Sequence, residues 1–127
     1  MGKGRWNRRG QFIVYTSESI SLAKLETLAN TPFLPDDCVL FEIQIHDAVN
    51  IYILTENELP NNWNSIHYPE ENWDIIDLLL ADNHECIRVP SATTRGEHNF
   101  LLNGNVPKFK ERFKLNVHDI DFDPRLN

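Results

Sequence analysis

Arg5, Tyr15 and Glu26 fall within the first twenty-six residues of the chain, in the segments GRWN, IVYTSES and SLAKLE, with turn, strand and helix signals between them. Each is of a type that can handle a charged or flat ligand. A guanidinium is a planar fork that can grip a phosphate. A phenol ring offers an aromatic surface. A carboxylate that loses water needs a partner or a ligand to offset the cost. The same residues also admit a purely structural reading, with Arg5 and Glu26 as an ion pair and Tyr15 as a core tyrosine. Residue types alone leave both readings open.

The elements between these residues decide whether they can converge. Gly10 can break the chain after Arg5, and the aromatic and β-branched run at residues 12–16 predicts a short strand with Tyr15 near its end. Ser17 or Ser19 can cap a following helix, whose apolar stripe is read from Leu22, Leu25 and Ala29. Glu26 lies one turn beyond Leu22, at the margin of that stripe. Lys3, Arg5, Arg8 and Arg9 crowd the first ten residues with no acid among them. A solvated tail accounts for Arg8 and Arg9, whereas Trp6, next to Arg5, gains from burial only if the segment packs.

Further along, TPFLPDD reads as a loop and residues 38–45 as a half-buried strand with Val39, Phe41, Ile43 and Ile45 on one face. Residues 50–54 are a second β candidate. The polar stretch at residues 60–71 holds Trp63, His67 and Tyr68 and is expected to pack as an irregular, lid-like loop. Residues 73–82 predict a helix that buries Ile76, Leu79 and Leu80. Strand signals follow at residues 86–89, stopped by Pro90, at residues 99–102, and in the alternation of Phe113, Leu115 and Val117. The class is therefore α+β, a single compact domain with a mixed sheet core and two or more helices.

With 127 residues, 41% hydrophobic and 24% charged, the chain suits one soluble globular domain. Its net charge of −7 argues against direct nucleic-acid binding, which needs clustered cations. No apolar run reaches membrane-span length and no secretion signal is evident, so a cytoplasmic protein is expected, with no membrane partner. Cys38 and Cys86 read as buried thiols rather than a disulfide. The five histidines are scattered without metal-ligand spacing, so no metal is expected. Phosphate-loop, GxGxxG and nucleophile-elbow motifs are missing. On its own, Ser91 in VPSA reads as a turn hydroxyl bonded to nearby backbone.

The chain resembles the RES domain family. The resemblance rests on GRWN with Gly10, VYTSES running into SLAKLE, VPSA, HNFLLN and FDPRL, which follow the family's order over nearly the whole chain. It implies an ADP-ribosyltransferase-like fold and a toxin of a bacterial toxin-antitoxin pair that consumes NAD as its substrate. It assigns Arg5, Tyr15 and Glu26 to the NAD site and adds Ser91, Asn99 and Asn103. Breaking the nicotinamide–ribose bond builds positive charge on the sugar. That chemistry wants a carboxylate beside the ribose, a cation on the diphosphate and an aromatic surface for the pyridinium ring. Glu26, Arg5 and Tyr15 match these roles in that order. The ADP-ribose acceptor is expected to be phosphate or water, as in an NAD phosphorylase or glycohydrolase, with a protein target as the alternative. A further alternative is an inactive remnant that only binds an antitoxin. The resemblance also implies a cognate antitoxin of the helix-turn-helix, Xre-like type, and allows a homodimer. Residues 1–127 are expected to form the RES domain without the strand, carrying another arginine, that precedes GRWN in the family. Asn103 and Gly104 stand where the family commonly has Asn-Pro, which alters a turn.

Overall fold

The computed structural model describes residues 2–30, 39–119 and Arg125. Its centre is a four-stranded mixed sheet in the order β1-β5-β4-β3, made of β1 (Ile13–Ser17), β5 (His98–Asn103), β4 (Cys86–Pro90) and β3 (Ile51–Ile53). β1 and β4 both run antiparallel to β5, which pairs Tyr15 with Leu101, Ser17 with Asn99 and Val89 with Asn99. β3 runs parallel to β4 and reaches it through α2 (Glu71–Ala81). Parallel neighbours require such a crossover.

Alternation along the strands gives the sheet two faces. On one, Trp6, Ile13, Leu54, Leu59, Trp63, Ile76, Ile87, Val89 and Leu101 form the larger core, with Leu79 and Leu80 of α2 packed against it. Ile76 is fully buried at the centre of the α2 stripe, as its spacing predicts. Burying a side chain of this size contributes roughly 1.5–3 kcal/mol. The other face carries Cys86 and Leu102 against Val49 and Phe113. That second cluster is covered by a two-stranded antiparallel ribbon of β2 (Val39–Ile45) and β6 (Phe113–Asp119), with α3 (Phe109–Arg112) at its root. Arg112 fastens the root, with Nη2 2.6 Å and Nε 3.1 Å from the Glu85 carboxylate oxygens. Cys86 is a free, buried thiol, and burial pushes it up to about 12. Cys38 lies outside the described residues.

Three expectations need correction. The helix after β1 is α1 (Ile20–Asn30), and it buries only Leu22, leaving Leu25 and Ala29 exposed. Polar contacts from Glu26, rather than a full apolar stripe, join its middle to the sheet. In β2, Ile43 and Ile45 pack against the core, but Val39 and Phe41 are exposed, because the ribbon runs past the sheet it covers. Arg8 is not a solvated tail residue. Its guanidinium meets Asp77 at 2.7 Å, contacts Asp74 and lies 5.4 Å from the Trp73 ring.

Candidate active site

The N-terminal segment is held by its own backbone-directed contacts. Trp6 is buried and stacks on Trp63 with ring centroids 5.9 Å apart. The Gly4 carbonyl accepts from Trp73 Nε1 at 2.7 Å, and the Gly4 amide donates to the Asn7 carbonyl at 3.0 Å. A side chain at Gly4 has no room, since its Cβ would lie 2.7 Å from both Tyr15 Oη and Asn7 Oδ1. Glycine is required there by this close approach.

Arg5 follows directly. Its Nη1 donates to the Trp63 carbonyl at 2.9 Å and the Ser65 carbonyl at 2.7 Å, and its guanidinium carbon lies 5.2 Å from the Tyr68 ring centroid. Three aromatic or carbonyl-bearing residues of the 60–71 stretch therefore gather on one cation. The stretch is pinned from the other side by Asn72, whose Nδ2 donates to the Trp63 carbonyl at 3.1 Å. Burial draws Arg5 below the ordinary guanidinium range, opposed by the nearby Tyr68 and Tyr15 phenols. It stays charged in neutral solution, and N–H groups remain beyond those spent on the two carbonyls.

Tyr15 projects from β1 toward the same place. Its hydroxyl accepts from the Trp6 amide at 3.0 Å and donates to Asn7 Oδ1 at 2.7 Å. The residue is 45% exposed overall, but its hydroxyl is enclosed by these contacts, so the ring supplies the free surface. Burial of the hydroxyl pushes Tyr15 up to about 12, partly offset by the Trp6 hydrogen bond. A group that binds its proton more tightly folded than unfolded loses stability as pH rises between the two values. Stability is expected to fall between pH 10 and 12 in the wild-type protein, and to fall less steeply in Tyr15→Phe. Urea unfolding at pH 8 and pH 11 compares the two, and equal losses would remove the enclosed hydroxyl from the account.

Glu26, on α1, meets the β1 face at Ser17, two residues beyond Tyr15. Ser19 caps α1, its Oγ accepting from the Leu22 amide at 3.1 Å, and so leaves Ser17 free for another task. The Ser17 hydroxyl donates to Glu26 Oε1, and Asn99 Nδ2 donates to the same oxygen at 2.9 Å while also bonding the Thr16 carbonyl at 3.1 Å. Because Ser17 pairs with Asn99 across β1 and β5, the sheet register itself builds this cradle. Neutral donors hold the carboxylate, and among the described residues no hydrogen bond reaches Oε2. Arg5 and Glu26 are thus engaged separately rather than with each other.

The remaining candidates are placed differently. Ser91 lies just past β4, two residues beyond Val89, the partner of Asn99, so it belongs to the same end of the sheet. Its buried hydroxyl accepts from the Thr93 and Thr94 amides at 3.2 Å each, closing a turn. Asn103 shares a β5 face with Asn99 but lies four residues away, about 13 Å along the strand. Its Oδ1 accepts from the Asn105 amide at 3.0 Å, in the turn after β5. Gly104 in that turn admits no side chain, because its Cβ would fall within the Phe12 ring. Asn7, Ser17 and Tyr68 complete the site and were not singled out for it by spacing. Ser17 carries a signal as a hydroxyl beside the helix start, and Tyr68 as an aromatic of the 60–71 stretch that is expected to pack.

The RES domain model matches residues 1–124. Toxin Res of Yersinia enterocolitica is 35% identical to this chain over 127 residues, covering 97% of this chain and 83% of that protein. A Sphingobium protein described as a Prs ADP-ribosylating toxin is 31% identical over 134 residues, covering 97% of this chain and 80% of its own length. The strip from Arg5 to Glu26 lies within the matched region, and on these matches the chain belongs to the RES domain family.

Proposed function

We propose that the protein is an NAD-consuming toxin of a toxin-antitoxin pair, breaking the nicotinamide–ribose bond. The observation that carries this reading is the Glu26 carboxylate, fixed through one oxygen by the neutral donors of Ser17 and Asn99 and, among the described residues, without a hydrogen bond to its other oxygen. A carboxylate positioned by neutral donors can face a developing cation, which is what the ribose becomes as nicotinamide departs. Arg5, with N–H groups to spare beside the Tyr15 and Tyr68 rings, binds the diphosphate, and Tyr15 offers its ring to the nicotinamide. Asn99 positions Glu26 through its Nδ2. Ser91 closes the end of the site as part of its turn.

Transfer of ADP-ribose to phosphate or to water fits the site as drawn. The Sphingobium relative's description as an ADP-ribosylating toxin supports NAD as substrate and favours a second reading, in which a protein side chain is the acceptor. Toxin Res supports pairing with an antitoxin, here proposed to be a helix-turn-helix protein. Incubating the purified protein with NAD, with and without inorganic phosphate, separates an active enzyme from an inactive one and phosphorolysis from hydrolysis. Nicotinamide release is expected in both, faster with phosphate if phosphorolysis operates. Absence of release under every condition, with antitoxin binding intact, would leave an inactive binding partner.

A further inference from the structure

On the sheet face opposite Tyr15, Ser17 and Asn99, strand alternation turns Ile53, Arg88, Pro90 and His98 outward together. Ile53 pairs with Arg88, and Pro90 pairs with His98, so these residues converge at the end of β3, β4 and β5. With Arg95 and Gly96 of the β4–β5 turn, they line a cavity of about 330 Å³. Of the six candidate site residues, Ser91 alone reaches this wall.

The cavity is cationic in a chain whose net charge is −7. Arg88 is half-buried, and its guanidinium rests against the His98 ring, with Nη2 2.9 Å from Nδ1 and 3.0 Å from Nε2. An imidazole does not neutralise a guanidinium. Arg95 stands at the mouth with no ion-pair or hydrogen-bond partner among the described residues. Three acids lie on or beside the lining residues, of which Glu97 accepts from Ser19 Oγ at 3.5 Å. Glu18 is taken up by His98, accepting from its amide at 3.0 Å and lying 3.5 Å from its Nδ1, and Glu56 is exposed on the far rim. A half-buried guanidinium without a carboxylate is costly unless an anion reaches it. Ile53 and Pro90 give the cavity an apolar flank beside the two guanidiniums. Gly96, at φ 87°, makes the turn that brings Arg95 round to the opening.

We propose that this cavity binds a phosphate dianion, free or carried by a phosphoester, between the Arg88 and Arg95 guanidiniums. Two planar forks supply the charge and the paired N–H donors that a dianion of this shape accepts. The site is separate from the strip of Arg5, Tyr15 and Glu26 and does not depend on the NAD reading.

The test is titration of uniformly ¹⁵N-labelled protein with inorganic phosphate, and in parallel with glycerol 2-phosphate, at ionic strength matched with sodium chloride. Saturable shifts are expected at the amides of Thr55, Arg88, Gly96 and His98, with those of Tyr15 and Glu26 unmoved. Tighter binding of inorganic phosphate assigns the cavity to the free ion, and tighter binding of glycerol 2-phosphate to an ester. Arg95→Gln, at an exposed position that no core contact depends on, should weaken binding by about ten- to a hundredfold. Arg88→Gln should weaken it by at least as much. Absence of saturation, shifts confined to the Arg5 and Tyr15 region, or undiminished binding by Arg95→Gln would overturn the proposal.

Discussion

Replacing Glu26 with glutamine is expected to lower the rate of nicotinamide release by about two to three orders of magnitude, the usual cost of removing one preorganised group that stabilises transition-state charge. Glutamine keeps the length of the side chain and one carbonyl oxygen to accept from Ser17 and Asn99, so the cradle survives the change. What disappears is the negative charge. Since that charge matters most when the sugar is cationic, the loss should fall on kcat and leave KM nearly unchanged. Steady-state kinetics with a matched circular dichroism spectrum provide the check. A Glu26→Gln enzyme that turns over NAD at the wild-type rate would leave Glu26 with a structural role only.

Trp6→Ala is expected to cost about 3–5 kcal/mol of stability, the range for deleting a large aromatic from a core. Trp6 is only 3% exposed and stacks on Trp63 within the larger cluster, so a cavity replaces it. For a domain stabilised by about 5–15 kcal/mol in total, that is a large share. The consequence reaches the site as well. Arg5 and the Gly4–Tyr15 approach are placed by the neighbours of this ring, and Trp63 supplies one of the carbonyls that hold the Arg5 guanidinium. Urea unfolding of the variant measures the loss. A change below about 1 kcal/mol, within the range of surface substitutions, would mean that the N-terminal segment is not part of the core.

Local patterns foretold most of the framework. The β-branched run before Ser17, the Ile76–Leu79–Leu80 stripe and the Phe113–Leu115–Val117 alternation carry their own periodicity, and β1, α2 and β6 formed where it points. Pro90 ended its strand region as its lost N–H requires. Contacts between distant segments were not visible. Arg8 looked like tail because Asp74 and Asp77, its partners, lie more than sixty residues away. The ribbon's exposed Val39 and Phe41 looked buried because alternation reports which residues share a face, not whether anything covers it.

The site divides in the same way. Arg5, Tyr15 and Glu26 are candidates by type and by the RES resemblance, but the group that holds Glu26 depends on a pairing between residues 17 and 99 that only the sheet register creates. Ser17 and Ser19 both suit a helix cap by sequence, and Ser19 fills that role. The enclosure of the Tyr15 hydroxyl by Asn7 and the Trp6 amide likewise needs a glycine at position 4, whose reason appears only in three dimensions.

The most direct measurement is a crystal structure of Glu26→Gln soaked with NAD, in which slowed turnover preserves the bound substrate. The nicotinamide ribose is expected within hydrogen-bond distance of the residue 26 side chain, the diphosphate on the Arg5 guanidinium, and the nicotinamide against the Tyr15 ring. NAD bound elsewhere on the protein, or with its diphosphate away from Arg5 and its ribose away from residue 26, would contradict the account.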